Sequence, residues 1–197
     1  FRALILIIAL LGCLGWADTM EDLRTATGKI TSVQACFVQE KHLKILSKPL
    51  ISKGVMYYKA PSSLRWEYKE PIYSVLIMQI GHTKRFYNDG TGFKEESGTD
   101  MPSMQMVMVQ ITQWLSGNFK DDPMFEAEME AGRKISLTPK EKSLAGIIAR
   151  INLHLSNTPG MIDTVLIHEG PDAYTRMDFN QTVINPPLAD EIFQKVK

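Results

Sequence analysis

The segment SLRWEYKE, residues 63–70, alternates strictly. Leu64, Trp66 and Tyr68 fall on one side, and Arg65, Glu67 and Lys69 on the other. A period of two predicts a strand with one apolar face and one wet face. The apolar face is aromatic and large, so something must cover it. Similar runs flank this strand. QACFVQEKHL and LISKGVMYYKA precede it, and YSVLIMQ, TKRFYND and GTGFKEE follow. Turn residues separate the runs, among them Pro61-Ser62-Ser63, Pro71, Gly81 and Asp89-Gly90, which predicts consecutive strands with hairpin-length links.

Two stretches follow a longer period. Residues 19–31 read as a helix, with Asp18 or Thr19 as cap, Glu21 and Asp22 in the first turn and Gly28 near the end. Met20, Leu23 and Ile30 supply its apolar positions. Beyond Asp100, the residues Met101, Met104, Met108, Ile111 and Leu115 recur at three- and four-residue spacing. Pro102 near the start and Gly117 at the stop predict an amphipathic helix over 101–116. Met106 widens its apolar face, giving it contacts on two sides. Strands resume with MFEAEMEA, RKISLTPK, IIARINLHLS, IDTVLIHEG and YTRMDFNQTVI, and NPPLADEIFQKVK closes the chain as a turn with a short helix or coil.

About ten strands joined by short links imply one antiparallel sheet, and a twisted sheet of that size must curl or close. The expected fold is mainly β with an α lid, an open, incomplete antiparallel barrel whose concave face the helices cover. No internal repeat or low-complexity tract interrupts it.

Composition narrows the picture little. The 197 residues suit one domain. The formal net charge is zero, which gives no reason to expect nucleic acid as a partner. The beginning is distinctive. FRALILIIALLGCLGWA carries one charge, Arg2, then an apolar run ending in small residues at Gly15 and Ala17. This is the pattern of an export signal cleaved near Ala17, leaving a single domain over 18–197. Two alternatives stay open: a short membrane anchor, although a span needs about 20 residues, and lipidation of Cys13, because LLGC resembles a lipobox. Of the two cysteines, only Cys36 lies in the expected domain. Its strand-like surroundings suit a structural thiol better than a nucleophile.

Candidate chemistry is sparse. The chain has no G-x-S-x-G elbow and no phosphate-binding loop. His42, His82, His154 and His168 lie far apart without metal-ligand spacing. No catalytic residue, metal or cofactor is expected. The eleven methionines stand out instead, since methionine suits surfaces that repack around variable apolar partners. Ordinary core is the plainer reading of both the methionines and the aromatic face.

The stretch GVMYYKAPSSLRWEYKEP resembles the LolA family, periplasmic carriers of outer-membrane lipoproteins. Gly54, Pro61, Arg65-Trp66-Glu67-Tyr68 and Pro71 match that family's pattern of a Gly-started strand, a basic-Pro turn and a Trp-bearing strand. FVQEK at 37–41, RFYND at 85–89 and INPPLADEIF near the end extend the likeness in order. The resemblance implies an open β-barrel with a helical lid over a cavity that holds acyl chains. It implies that Met56, Tyr58, Leu64, Trp66 and Tyr68 face that cavity from the sheet, with Met104 and Met108 facing it from the lid.

The resemblance further implies a periplasmic, non-enzymatic carrier, expected as a monomer. Its partners would be lipoprotein acyl chains or another lipid, an inner-membrane lipoprotein-releasing transporter and an outer-membrane acceptor lipoprotein. One departure bears on this. The family carries an arginine directly before the turn proline, where it contacts the lid. This chain has Ala60 there, with Lys59 one step earlier on the opposite face. A carrier of another lipid or glycolipid therefore remains a rival, as does an anchored acceptor lipoprotein if Cys13 is lipidated. A periplasmic hydrolase and a sensor of mislocalised lipoproteins are more distant readings.

Overall fold

A computed structural model describes residues 19–79, 82–96, 110–117 and 122–196. The signal-like start with Cys13, and the lid positions Met104 and Met108, lie outside the described residues. Helix α1 spans Met20–Thr27, with Thr19 capping it by accepting from the Asp22 amide. It is shorter than the expected 19–31, because the chain turns at Gly28 and the Ile30 amide bonds back to the Thr27 carbonyl. Ile30 still reaches the core, from the turn rather than from the helix.

Eleven strands follow: β1 (Ser32–His42), β2 (Leu50–Lys59), β3 (Ser63–Glu70), β4 (Ser74–Gln79), β5 (His82–Asn88), β6 (Phe93–Glu95), β7 (Phe125–Glu130), β8 (Lys134–Pro139), β9 (Arg150–Leu155), β10 (Ile162–Gly170) and β11 (Ala173–Ile184). Residues 110–115 form α2. A single turn, α3, covers Lys142–Ala145, and a 3-10 turn covers Asp190–Phe193. The strands form one antiparallel sheet in the order β6-β5-β4-β3-β2-β1-β11-β10-β9-β8-β7. Pairing of β1 with β11 joins the two halves. Edges β6 and β7 do not pair with each other among the described strands, so the barrel is open.

The main core fills the concave side. Leu23 of α1 and Ile111, Trp114 and Leu115 of α2 pack there against inward residues of the strands. Two glycines set how closely the helices approach. Gly117, just after α2, has φ +73°, and a Cβ there would overlap the Thr27 side chain of α1. Gly160, in the turn between β9 and β10, has φ +82°, and a Cβ there would crowd the backbone at Ala26 and Thr27. Both positions need a left-handed backbone and close contact, which glycine alone meets without strain.

A second core lies on the convex side. Val75, Ile77 and Phe193 are its buried members, joined by Tyr57, Tyr73 and Ile192. The C-terminal segment therefore lies over β3 and β4, and β4 is buried on both faces. This alters the expected picture of β3. Leu64, Trp66 and Tyr68 do face the core, and Lys69 is exposed. Arg65 and Glu67, expected in water, are buried. The Arg65 Nε donates to Glu67 Oε2 at 2.8 Å, and its Nη1 donates to the carbonyls of Ile192 and Lys195 at 3.1 and 2.9 Å. The Tyr73 hydroxyl donates to Glu67 Oε1 at 2.7 Å. Each charge is paired and hydrogen-bonded, as burial requires.

Asn185 fastens the start of the closing segment. It adopts φ +55°, which asparagine tolerates better than most residues. Its Oδ1 accepts from the Thr31 amide at 2.7 Å, and its Nδ2 donates to the Lys29 carbonyl at 3.2 Å.

Candidate functional site

The inward residues of β11, β1, β2 and β3 stand in cross-strand rows. The first row is Phe179, Phe37, Gly54 and Tyr68. A Cβ at Gly54 would overlap the Phe37 ring and the Glu67 carbonyl. The missing side chain lets Phe37 lie across β2 and reach Trp66, with ring centroids 4.3 Å apart. Phe179 meets Trp66 edge-on at 6.0 Å, and Tyr68 meets Phe37 edge-on at 5.3 Å. Such arrangements suit the aromatic quadrupole.

The next row is Ala35, Met56, Trp66 and Leu76, and the one after it is Val33, Tyr58, Leu64 and Met78. Ala35 is the smallest residue in this part of the wall, and a cavity lies beside it. Ala35, Met56 and Phe179 line it from the sheet, and Ile111, Trp114 and Leu115 line it from α2. Val165 adds to its apolar wall. Among the described lining residues, Thr182 is the single one besides Trp114 whose side chain has a polar group, and it is exposed at the rim.

Thr182 lines the cavity because of a bulge. The register of β1 with β11 shifts between Gln34 and Cys36, and Gln181 has φ +51°. The extra residue lets Phe179 and Thr182, three positions apart, line the same space. No alternation pattern signals this, and sequence reasoning missed Thr182, Ala35 and Trp114 as lining residues.

The expected site residues divide. Met56 borders the empty space. Tyr58, Leu64, Trp66 and Tyr68 share its face and its core cluster but do not line the space itself. The two hydroxyls are satisfied locally, whereas Trp66 Nε1 has no partner among the described residues. The Tyr68 hydroxyl donates to Gln39 Oε1 at 2.8 Å, and the Tyr58 hydroxyl donates to the Pro61 carbonyl at 3.3 Å. Burial raises the pKa of both phenols, so both stay neutral.

The open space is small. The space open to the centre of a water-sized sphere is only about 30 Å³. One water needs roughly 10–15 Å³ on the same basis. A long acyl chain does not fit this space unless α2 and the sheet move apart.

Ala60 and Lys59 sit away from α2. Ala60 is exposed. The Lys59 Nζ pairs with Asp190 Oδ1 at 2.5 Å and donates to the Leu188 carbonyl at 3.1 Å. The one cation beside the turn proline is committed to the C-terminal segment on the convex side.

The sequence matches the family model described as outer membrane lipoprotein carrier protein LolA over residues 28–196. The outer-membrane lipoprotein carrier protein of Salmonella paratyphi A is 28% identical over 131 residues, covering 64% of this chain and 59% of the relative. That of Cronobacter sakazakii is 26% identical over 146 residues, covering 72% of this chain and 66% of the relative. The matched stretch thus spans less than two thirds of either relative's own length. Among solved structures, MucB superposes with a TM-score of 0.52 at 18% identity, covering 92% of this chain and 64% of that one. The chain belongs to the LolA family.

Proposed function

We propose that this LolA-family chain is a periplasmic, non-enzymatic carrier that shields the acyl chains of lipid-modified proteins and moves them from the inner to the outer membrane. It would receive its cargo from an inner-membrane lipoprotein-releasing transporter and deliver it to an outer-membrane acceptor lipoprotein. The observation that carries this reading is the cavity between the sheet and α2, whose described lining residues are apolar apart from Trp114 Nε1 and Thr182. Apolar burial is its chief means of attraction.

A second reading, carriage of a different lipid or glycolipid, draws support from the turn before Pro61. Ala60 offers no charge, and Lys59 is held by Asp190. Neither latches α2, so grip on the cargo falls to apolar contact.

The test is displacement of a fluorescent fatty-acid probe by ligands of increasing chain length, at low and high salt. Each buried methylene contributes about 0.8 kcal/mol, roughly a fourfold gain in affinity. Affinity should climb steeply with chain length and hardly respond to salt. Salt-driven loss of affinity with little chain-length dependence would mean head-group recognition dominates, and the carrier reading would fail. Release of a lipid-modified protein from spheroplasts by the purified chain tests the transport step.

A further inference from the structure

We propose that the mouth of the cavity binds the carbonyl group of an acyl ester or amide, selecting acylated lipids over ether-linked chains of equal length. The proposal rests on the carrier reading above and names the chemistry of its cargo.

Trp114 lines the cavity and is only 2% exposed, yet its Nε1–H has no acceptor among the described residues. A buried donor left unpaired is costly, and in folded proteins such groups are rare enough to need a reason. Trp66 Nε1 is unpaired as well, but Trp66 does not line the cavity, whereas Trp114 does. The indole N–H is only a donor, so the group it suits must be an acceptor.

Among the described lining residues, the second polar group is the Thr182 hydroxyl, at the exposed rim. A carbonyl oxygen has two lone pairs and can accept from both Trp114 Nε1–H and Thr182 Oγ1–H. The other described lining residues, among them Ala35, Met56, Leu115 and Phe179, offer only apolar contact. A ligand with a carbonyl at the rim and a hydrocarbon tail directed inward matches that order of polarity. An alkane or ether chain leaves the indole N–H unpaired or poorly paired.

The experiment uses the full chain with 1,2-dioctanoyl-glycerol and its ether counterpart 1,2-di-O-octyl-glycerol as competitors of a fluorescent fatty-acid probe. In parallel, the indole N–H resonance of Trp114 is followed by NMR and assigned through Trp114→Phe. The ester should bind roughly three- to tenfold tighter than the ether, with a downfield shift of the Trp114 proton for the ester alone. In Trp114→Phe, the ratio of ester to ether affinity should fall to near one, whatever the change in the affinity for either ligand alone. An ester preference that survives in Trp114→Phe would overturn the proposal and leave the carrier reading standing. An equal indole shift with both ligands would point to an internal acceptor such as Gln110, whose buried Oε1 is also unpaired, and would overturn it likewise. Failure of both ligands to displace the probe would defeat the carrier reading and this proposal together.

Discussion

Phe37 lies nearly flat on Trp66, with ring centroids 4.3 Å apart and planes 29° from parallel. The two belong to β1 and β3, which are separated by β2, and their contact exists because Gly54 leaves the intervening position empty. Gly54→Ala should therefore do more than add a methyl. It would push Phe37 off Trp66 and force β2 away from the Glu67 carbonyl. Overpacking costs about 1–3 kcal/mol and occasionally more, and the upper end is expected here. Urea unfolding should show it. A variant as stable as the parent would mean the aromatic wall is loosely packed.

The Arg65–Glu67 pair fastens the C-terminal segment to the outside of β3. Arg65→Met leaves the Glu67 carboxylate buried without its partner, which should cost about 3–5 kcal/mol. The double variant Arg65→Met, Glu67→Leu should recover much of that loss, because replacing a buried pair with apolar groups is often near neutral. Limited proteolysis within 188–196 should rise in the single variant above all. Equal instability of the single and double variants would show that the bonds to Ile192 and Lys195 matter more than the charge balance.

His168 gives a pH dependence with a definite sign. Burial lowers its pKa, with Arg150 and Lys134 adding repulsion. The Asn152 Nδ2 donates to His168 Nε2 at 3.1 Å, a bond that requires the neutral ring. As pH falls through about 6.5, the unfolded chain takes up this proton before the folded one. Stability from this group is thus complete above that pH. It declines below it until the folded imidazole also titrates. His168→Gln should lose less stability between pH 8 and pH 5 than the parent, measured by urea unfolding at each pH. The difference isolates His168 from the other histidines, and identical losses would refute it.

Lids come from the low-stability end of a structure. The amides of residues 111–116 should exchange faster than those of β2 and β3 in the empty protein, and slow when a fatty acid binds. Gly117→Ala, strained by φ +73° and opposed by Thr27, should cost on the order of 1–3 kcal/mol. It should speed exchange in α2 and probe entry while leaving β2 and β3 protected. Exchange in α2 as slow as in the sheet would make it fixed core.

The alternation in residues 63–70 named the inward face of β3 correctly, and β3 occupies Ser63–Glu70 as read. Elsewhere strand ends moved by a residue or two at most places, and by three at the starts of β6, where the turn runs on to Gly92, and of β9, where Ile147 and Ile148 precede the strand. The helical spacing around Ile111 and Leu115 likewise agrees with the apolar face that α2 buries. These features are local: a side chain's direction follows from its own backbone and its neighbours in sequence. The family likeness was legible for the same reason, since it rests on contiguous motifs.

Other features have distant causes. Arg65 and Glu67 alternate with the aromatic face just as wet residues would, but a segment 127 positions away covers them. Periodicity records which side a residue faces and not whether that side stays open. The cavity depends on Ala35 standing between larger rows, on a bulge that brings Thr182 inward, and on the placement of Trp114 from α2. Each requires strands and helix to be assembled first. The strands, their faces and the family are therefore written in local sequence. Which faces meet water, where space remains and which buried polar atoms lack a partner follow from assembly, because those depend on what packs across from each side chain.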